Sequence, residues 1–98
     1  MQSNNLFTLR VKLDSIEKEC GLGGYLEVEK SIIAFIAYQE KTNIAEILEN
    51  QYFKKISLNT VNRTVKKLRQ GGVILATKAH SGDLRIVSLS LRKDWNLA

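Results

Sequence analysis

The sequence predicts a mainly helical chain with a small β-hairpin, of the α+β class. Three observations predict it. Apolar residues recur at helical spacing through residues 6–20 and 27–70, Gly71-Gly72 interrupts that pattern, and strict alternation takes over at Val87-Ser88-Leu89-Ser90-Leu91. With 98 residues and one change of period near residue 70, the chain reads as a single domain, residues 1–98.

The first helix covers about residues 5–20. Leu6, Leu9, Leu13, Ile16 and Cys20 fall at spacings of 3, 4, 3 and 4, an a/d stripe. Phe7, Leu9, Val11 and Leu13 also alternate as a half-buried strand would, but only the helical template extends through Glu17-Lys18-Glu19-Cys20. Gly21 and the Gly23-Gly24 pair end it. Two heptads are short for a free-standing coiled coil, so the stripe is expected to pack on its own domain or on a second copy.

The second helix runs from Glu27 to about Glu40. Val28, Ile32, Phe35 and Ile36 share a face, Ile33 and Ala37 widen it, and Glu27, Glu29 and Lys30 are assigned outside. Thr42 or Asn43 caps a short third helix, Ile44 to about Asn50, with Ile44, Ile47 and Leu48 inward. Gln51 to Ile56 is a connection whose Tyr52 and Phe53 read as core satellites, with an exposed Tyr as the alternative. Ser57 caps the fourth helix, in which Val61, Val65 and Leu68 form an i, i+4, i+7 stripe, and Gly71-Gly72 stops it. Val73-Ile74-Leu75 opens a strand, Lys78 to Gly82 turns, and Leu84 to Leu91 returns.

Charge is divided unequally along this plan. Residues 1–53 carry −3, whereas residues 54–98 carry +8, with only Asp83 and Asp94 as acids. Such asymmetry points to a polyanionic partner on one side of the molecule, and nucleic acid is the commonest. Other classes find little support. One cysteine makes no disulfide framework or Cys-rich zinc module. His80, the single histidine, has no Cys or His at ligand spacing, so neither metal nor other cofactor is expected. The CGLGG glycines are not followed by the Lys-Ser/Thr of a phosphate loop, and no catalytic triad or carboxylate pair can be assembled, so an enzyme is not expected. The longest apolar run, Ile32 to Tyr38, is far short of the ~20 residues of a membrane span. The N-terminus lacks a basic start with an apolar h-region, which argues against a signal peptide and for a cytoplasmic protein.

The segment from about residue 43 to 70 pairs two helices across a connection, the second polar and basic on its outer face: a helix-turn-helix. An α-helix fits the major groove of duplex DNA. Asn pairs bidentately with adenine and Arg with guanine, which makes Asn59, Asn62 and Arg63 candidate base readers. The N-terminal amides and Ser57 are placed to meet a phosphate, Thr60 is counted with the DNA-binding residues, and Lys66, Lys67 and Arg69 are expected to contact the backbone farther along.

Residues of about Glu29 to Leu91 resemble a winged helix-turn-helix of the MarR-like type. The string SLNTVNRTVKKLRQGGVI is similar to that family's recognition helix and following strand, GDLRIVSLS to its wing, and IAEIL to the first helix of its motif. The resemblance implies sequence-specific binding of double-stranded DNA by a dimer, usually for repression. It implies a wing over about residues 73–91, with Lys78, His80 and Arg85 at the backbone or minor groove and Asp83 orienting Arg85. The family's usual dimer helices lie C-terminal to the wing. With Ala98 the last residue here, a homodimer is expected through Leu6, Leu9, Leu13 and Ile16, with Trp95 and Leu97 as possible contributors. Two other readings are open: a plasmid or phage replication-initiator or partition module, and an adaptor that uses the same fold to bind a protein of the transcription machinery.

Overall fold

The computed structural model describes residues 2–77 and 87–93, with side chains from residue 5 onward. Four helices, α1 (Gln2–Glu19), α2 (Glu27–Gln39), α3 (Ile44–Glu49) and α4 (Leu58–Gln70), precede two antiparallel strands, β1 (Ile74–Thr77) and β2 (Ser88–Leu91). A single 3-10 turn, Gln51–Phe53, lies between α3 and α4. The chain is therefore mainly helical with a small β ladder, as the two periods in the sequence predict.

One apolar cluster holds α2, α3, α4 and the strands together. Ile32, Ile33 and Ile36 of α2 meet Ile47 of α3, Phe53 of the turn, Val61, Val65 and Leu68 of α4, and Val73, Ile74 and Leu89. The strands pair Ile74 with Leu91 and Ala76 with Leu89, which puts Ile74 and Leu89 on the core side. Gly72 adopts φ +77, which glycine alone tolerates without strain, and the Val73 N–H then donates to the Leu68 carbonyl. Helix thus passes to strand across three residues.

Several local expectations are refined. Asn43, not Thr42, caps α3: its Oδ1 accepts the Glu46 N–H at 2.9 Å. Thr42 is buried and exchanges both backbone hydrogen bonds with Leu89, at 3.0 and 2.7 Å. Helix α3 ends at Glu49, because the Asn50 side chain turns to accept the Tyr52 N–H and starts the 3-10 turn. Phe53 is a full core residue, whereas Tyr52 is exposed. Of the expected returning strand Leu84–Leu91, Ser88–Leu91 is observed and Val87 precedes it outside the ladder; residues 84–86, the turn from Lys78, and Trp95 and Leu97 lie outside the described residues.

One expectation needs correction. Glu29, expected on the outer face of α2, is 4% exposed, because a cation from α4 meets it. Of the α1 stripe, Cys20 packs against the core, whereas Leu6, Leu9, Leu13 and Ile16 are all more than half exposed. Helix α1 is joined to the body near its C-terminus. There Glu17 Oε1 accepts from Lys30 Nζ at 2.9 Å, the Leu22 N–H donates to the Glu17 carbonyl, and Leu22 is buried. Gly21, at φ +83, makes the reversal that brings Leu22 inward.

Candidate nucleic-acid interface

Helix α4 forms where it does because both ends are specified locally. Ser57 Oγ accepts the Thr60 N–H at 3.2 Å and lies 3.0 Å from the Thr60 hydroxyl, which satisfies an amide of the first turn. Val61, Val65 and Leu68 are buried against α2, α3 and β1, and Thr64 joins them by donating its hydroxyl to the Thr60 carbonyl at 2.8 Å. That burial fixes the helix rotation. Asn59, Asn62, Arg63, Lys66, Arg69 and Gln70 are consequently exposed, and Thr60 is half-buried at the border.

The predicted site residues thus divide into three sets, with Lys67 apart from all of them. Asn59, Asn62, Arg63 and Lys66 share the outer surface of α4. Ser57 and Thr60 lie at its N-terminus, tied to each other by their capping bonds. Lys78, His80, Asp83 and Arg85, the residues expected to form the wing contact, lie outside the described residues. Lys54 and Lys55, absent from the predicted site, are exposed at the end of the 3-10 turn, immediately before the Ser57 cap. Their place in the C-terminal charge excess was the available signal, and assignment to a plain connection hid it.

Lys67 differs from its neighbours. Its Nζ is 2.7 Å from Glu29 Oε2, and Glu29 Oε1 accepts the Leu26 N–H at 2.8 Å. One carboxylate therefore caps the start of α2 and clamps α4 to it. The Lys67 ammonium, with help from the Leu26 amide, holds the Glu29 carboxyl below the usual carboxylate range, against the opposing effect of burial. Lys67 is exposed but ion-paired to Glu29, so Arg63, Lys66 and Arg69 supply most of the outward positive charge of α4.

The Glu29 clamp carries a pH dependence. A carboxyl whose folded pKa lies below its unfolded value stabilises the fold above the unfolded pKa, near 4.3, and loses that contribution as pH falls through the folded value. Glu29→Gln is expected to cost about 1–2 kcal/mol at pH 7, near the lower end for charged hydrogen bonds because water screens the half of the pair that Lys67 exposes. The variant should also lose less stability than the wild type between pH 5 and pH 3. Urea titrations across that range check it. Parallel pH curves for the two proteins would remove Glu29 as the cause.

Among the described residues no group of three His, Cys, Asp or Glu side chains is placed to hold a metal ion, and no helix is long and apolar enough to cross a membrane.

The fold and this surface define a small α+β domain presenting one capped, basic helix. Comparison with known protein families gives no match, and no solved structure matches the chain. The chain is similar to an uncharacterised protein of Methanocaldococcus jannaschii, with 33% identity over 88 residues. The alignment covers 89% of this chain and 32% of that protein, so the chain spans about a third of its relative's length.

Proposed function

We propose that this chain is a winged helix-turn-helix module, of the MarR-like kind, that binds double-stranded DNA and regulates transcription, most simply by occupying a promoter and repressing it. Helices α3 and α4 form the helix-turn-helix, α4 lies in the major groove, and residues 78–85 act as the wing. The observation that carries this reading is the division of α4: one face is locked into the core by Val61, Val65 and Leu68, and the other offers Asn59, Asn62, Arg63 and Lys66 to solvent. Asn and Arg on a fixed helix face provide base-edge readout, and Lys66, Arg69, Lys54 and Lys55 provide phosphate neutralisation.

The experiment is fluorescence anisotropy of the purified chain on pooled genomic duplexes over a series of salt concentrations. Tight binding whose logarithm falls steeply and linearly with the logarithm of salt is the expected result. Absence of binding at about 50 mM salt would defeat the proposal. The basic face would then serve an acidic protein partner.

A further inference from the structure

We propose that the exposed stripe of α1 pairs antiparallel with α1 of a second copy, each helix lying along the groove that the other borders. This surface is separate from the outer face of α4, and the inference stands whether or not that face binds DNA.

The argument begins with an imbalance on an ordered helix. Helix α1 is 18 residues long, about 27 Å at ~1.5 Å per residue. Its Leu6, Leu9, Leu13 and Ile16, which share the a/d stripe, are all more than half exposed. Large apolar side chains contiguous on one element mark an interaction surface, whereas scattered ones do not. Toward the C-terminus of α1 the stripe borders a groove of about 670 Å³, in which Leu13, Ile16 and Cys20 face Ala34 and Ala37 of α2 and Leu91 of β2. One apolar surface therefore runs from the outlying N-terminal half of α1 into a groove beside its C-terminal half. A helix with the same stripe, running the opposite way, would cover both parts at once.

Charge selects the occupant and its direction. With Leu6, Leu13 and Cys20 at a and Leu9 and Ile16 at d, the flanking e and g positions are Arg10 and Lys12 in the N-terminal half and Glu17 and Glu19 in the C-terminal half. Antiparallel pairing sets e against e and g against g. It therefore brings Arg10 to Glu17 of the second copy and Lys12 to Glu19 of the second copy, and the two-fold axis repeats both pairs. Glu17 lines the groove, 17% exposed, with its Oε1 held by Lys30 at 2.9 Å, so in the pair Arg10 would join a carboxylate that already carries one cation. Parallel pairing matches only Lys12 with Glu17 and leaves Arg10 and Glu19 unanswered. In the charge-matched antiparallel register Leu13 stacks on Ile16 of the second copy and Leu9 on Cys20 of the second copy.

That register is directly testable. Residues 9 and 20 of one helix are about 16 Å apart, too far for a disulfide, so a Leu9→Cys chain retaining Cys20 can bridge them only between copies. The expected results are a dimer in sedimentation at tens of micromolar, a covalent dimer from oxidised Leu9→Cys on a non-reducing gel, and none from the native chain. Leu9→Glu/Leu13→Glu, at two exposed positions, is expected to keep the helical circular dichroism of the native chain while weakening the dimer at least 100-fold. That variant's affinity for a single DNA half-site then reports on the α4 reading separately. A native chain that sediments as a monomer overturns the inference, leaving the stripe for a partner of another kind. A dimer that survives the double Glu substitution overturns it too, as does one that cross-links through Cys20 alone or not at all with Leu9→Cys.

Discussion

Phe53→Ala is expected to destabilise the chain by about 3–5 kcal/mol, the range for truncating a buried aromatic side chain. Phe53 is 2% exposed and stands where the chain passes from α3 to α4. Its ring meets Phe35 of α2 edge-on at 5.5 Å and Tyr52 at 5.2 Å. Pairs of this geometry add about 0.5–1.5 kcal/mol to simple burial. The Phe53 carbonyl also accepts the Ile56 N–H at 3.0 Å, so the same residue directs the backbone toward the Ser57 cap. For a domain whose whole stability is of order 5–15 kcal/mol, this loss is about a fifth or more. The measurement is a urea unfolding curve whose midpoint falls while its slope holds. Tyr52→Ala, at an exposed neighbour that contributes mainly its ring contact, should cost no more than about 1.5 kcal/mol. Equal effects of the two substitutions would contradict the inward assignment of Phe53.

The largest functional effect is expected from Arg63→Ala/Lys66→Ala. A bidentate Arg contact to a base is worth about 1–3 kcal/mol, and loss of a Lys–phosphate contact weakens all sequences alike and lowers the salt slope by about 1. The double variant should therefore bind a selected site on the order of 100-fold more weakly, with part of the loss shared by unrelated duplexes. Both side chains are exposed, so folding stability should remain within about 0.5 kcal/mol of the native value. Anisotropy on selected and scrambled duplexes separates the two contributions. Lys67→Ala gives the contrast: it removes a charge that Glu29 already neutralises, and it should lower stability more than it lowers affinity. Unchanged affinity in the double variant would falsify the assignment of α4 as the reading helix.

Much of this architecture is legible in the sequence because its determinants are local. The Ser57 cap, the Val61–Val65–Leu68 stripe and the Gly71-Gly72 stop all lie within sixteen residues, and each is visible without knowledge of the rest of the chain. Glu29 was misplaced for the opposite reason. Its side chain is polar, and only a lysine 38 positions later accounts for its burial. Thr42 and Asn43 were equivalent cap candidates until β2 took the backbone of Thr42, a long-range choice that no local pattern records. For α1 the stripe was readable but its destination was not, since the a/d spacing describes a surface and leaves the covering element unnamed. The outer residues of α4 were readable as a set. The inward pairing of Lys67 was not, because helical spacing cannot separate a solvated lysine from one whose stem bends back to a buried acid.

The double hydrogen bond between Thr42 and Leu89 has a consequence for how the halves of the molecule communicate. A two-stranded ribbon of four-residue strands is marginal alone, but at Leu89 this one is flanked by chain on both edges. The residue that closes the second edge is also the one before the Asn43 cap of α3, and its hydroxyl donates to Glu46 at 2.8 Å. The ribbon is thereby latched at Leu89 to the first turn of a helix whose cap, Asn43, precedes Leu89 by more than forty residues. A change at Thr42, Asn43 or Glu46 therefore acts on the edge of the ribbon as well as on the start of α3.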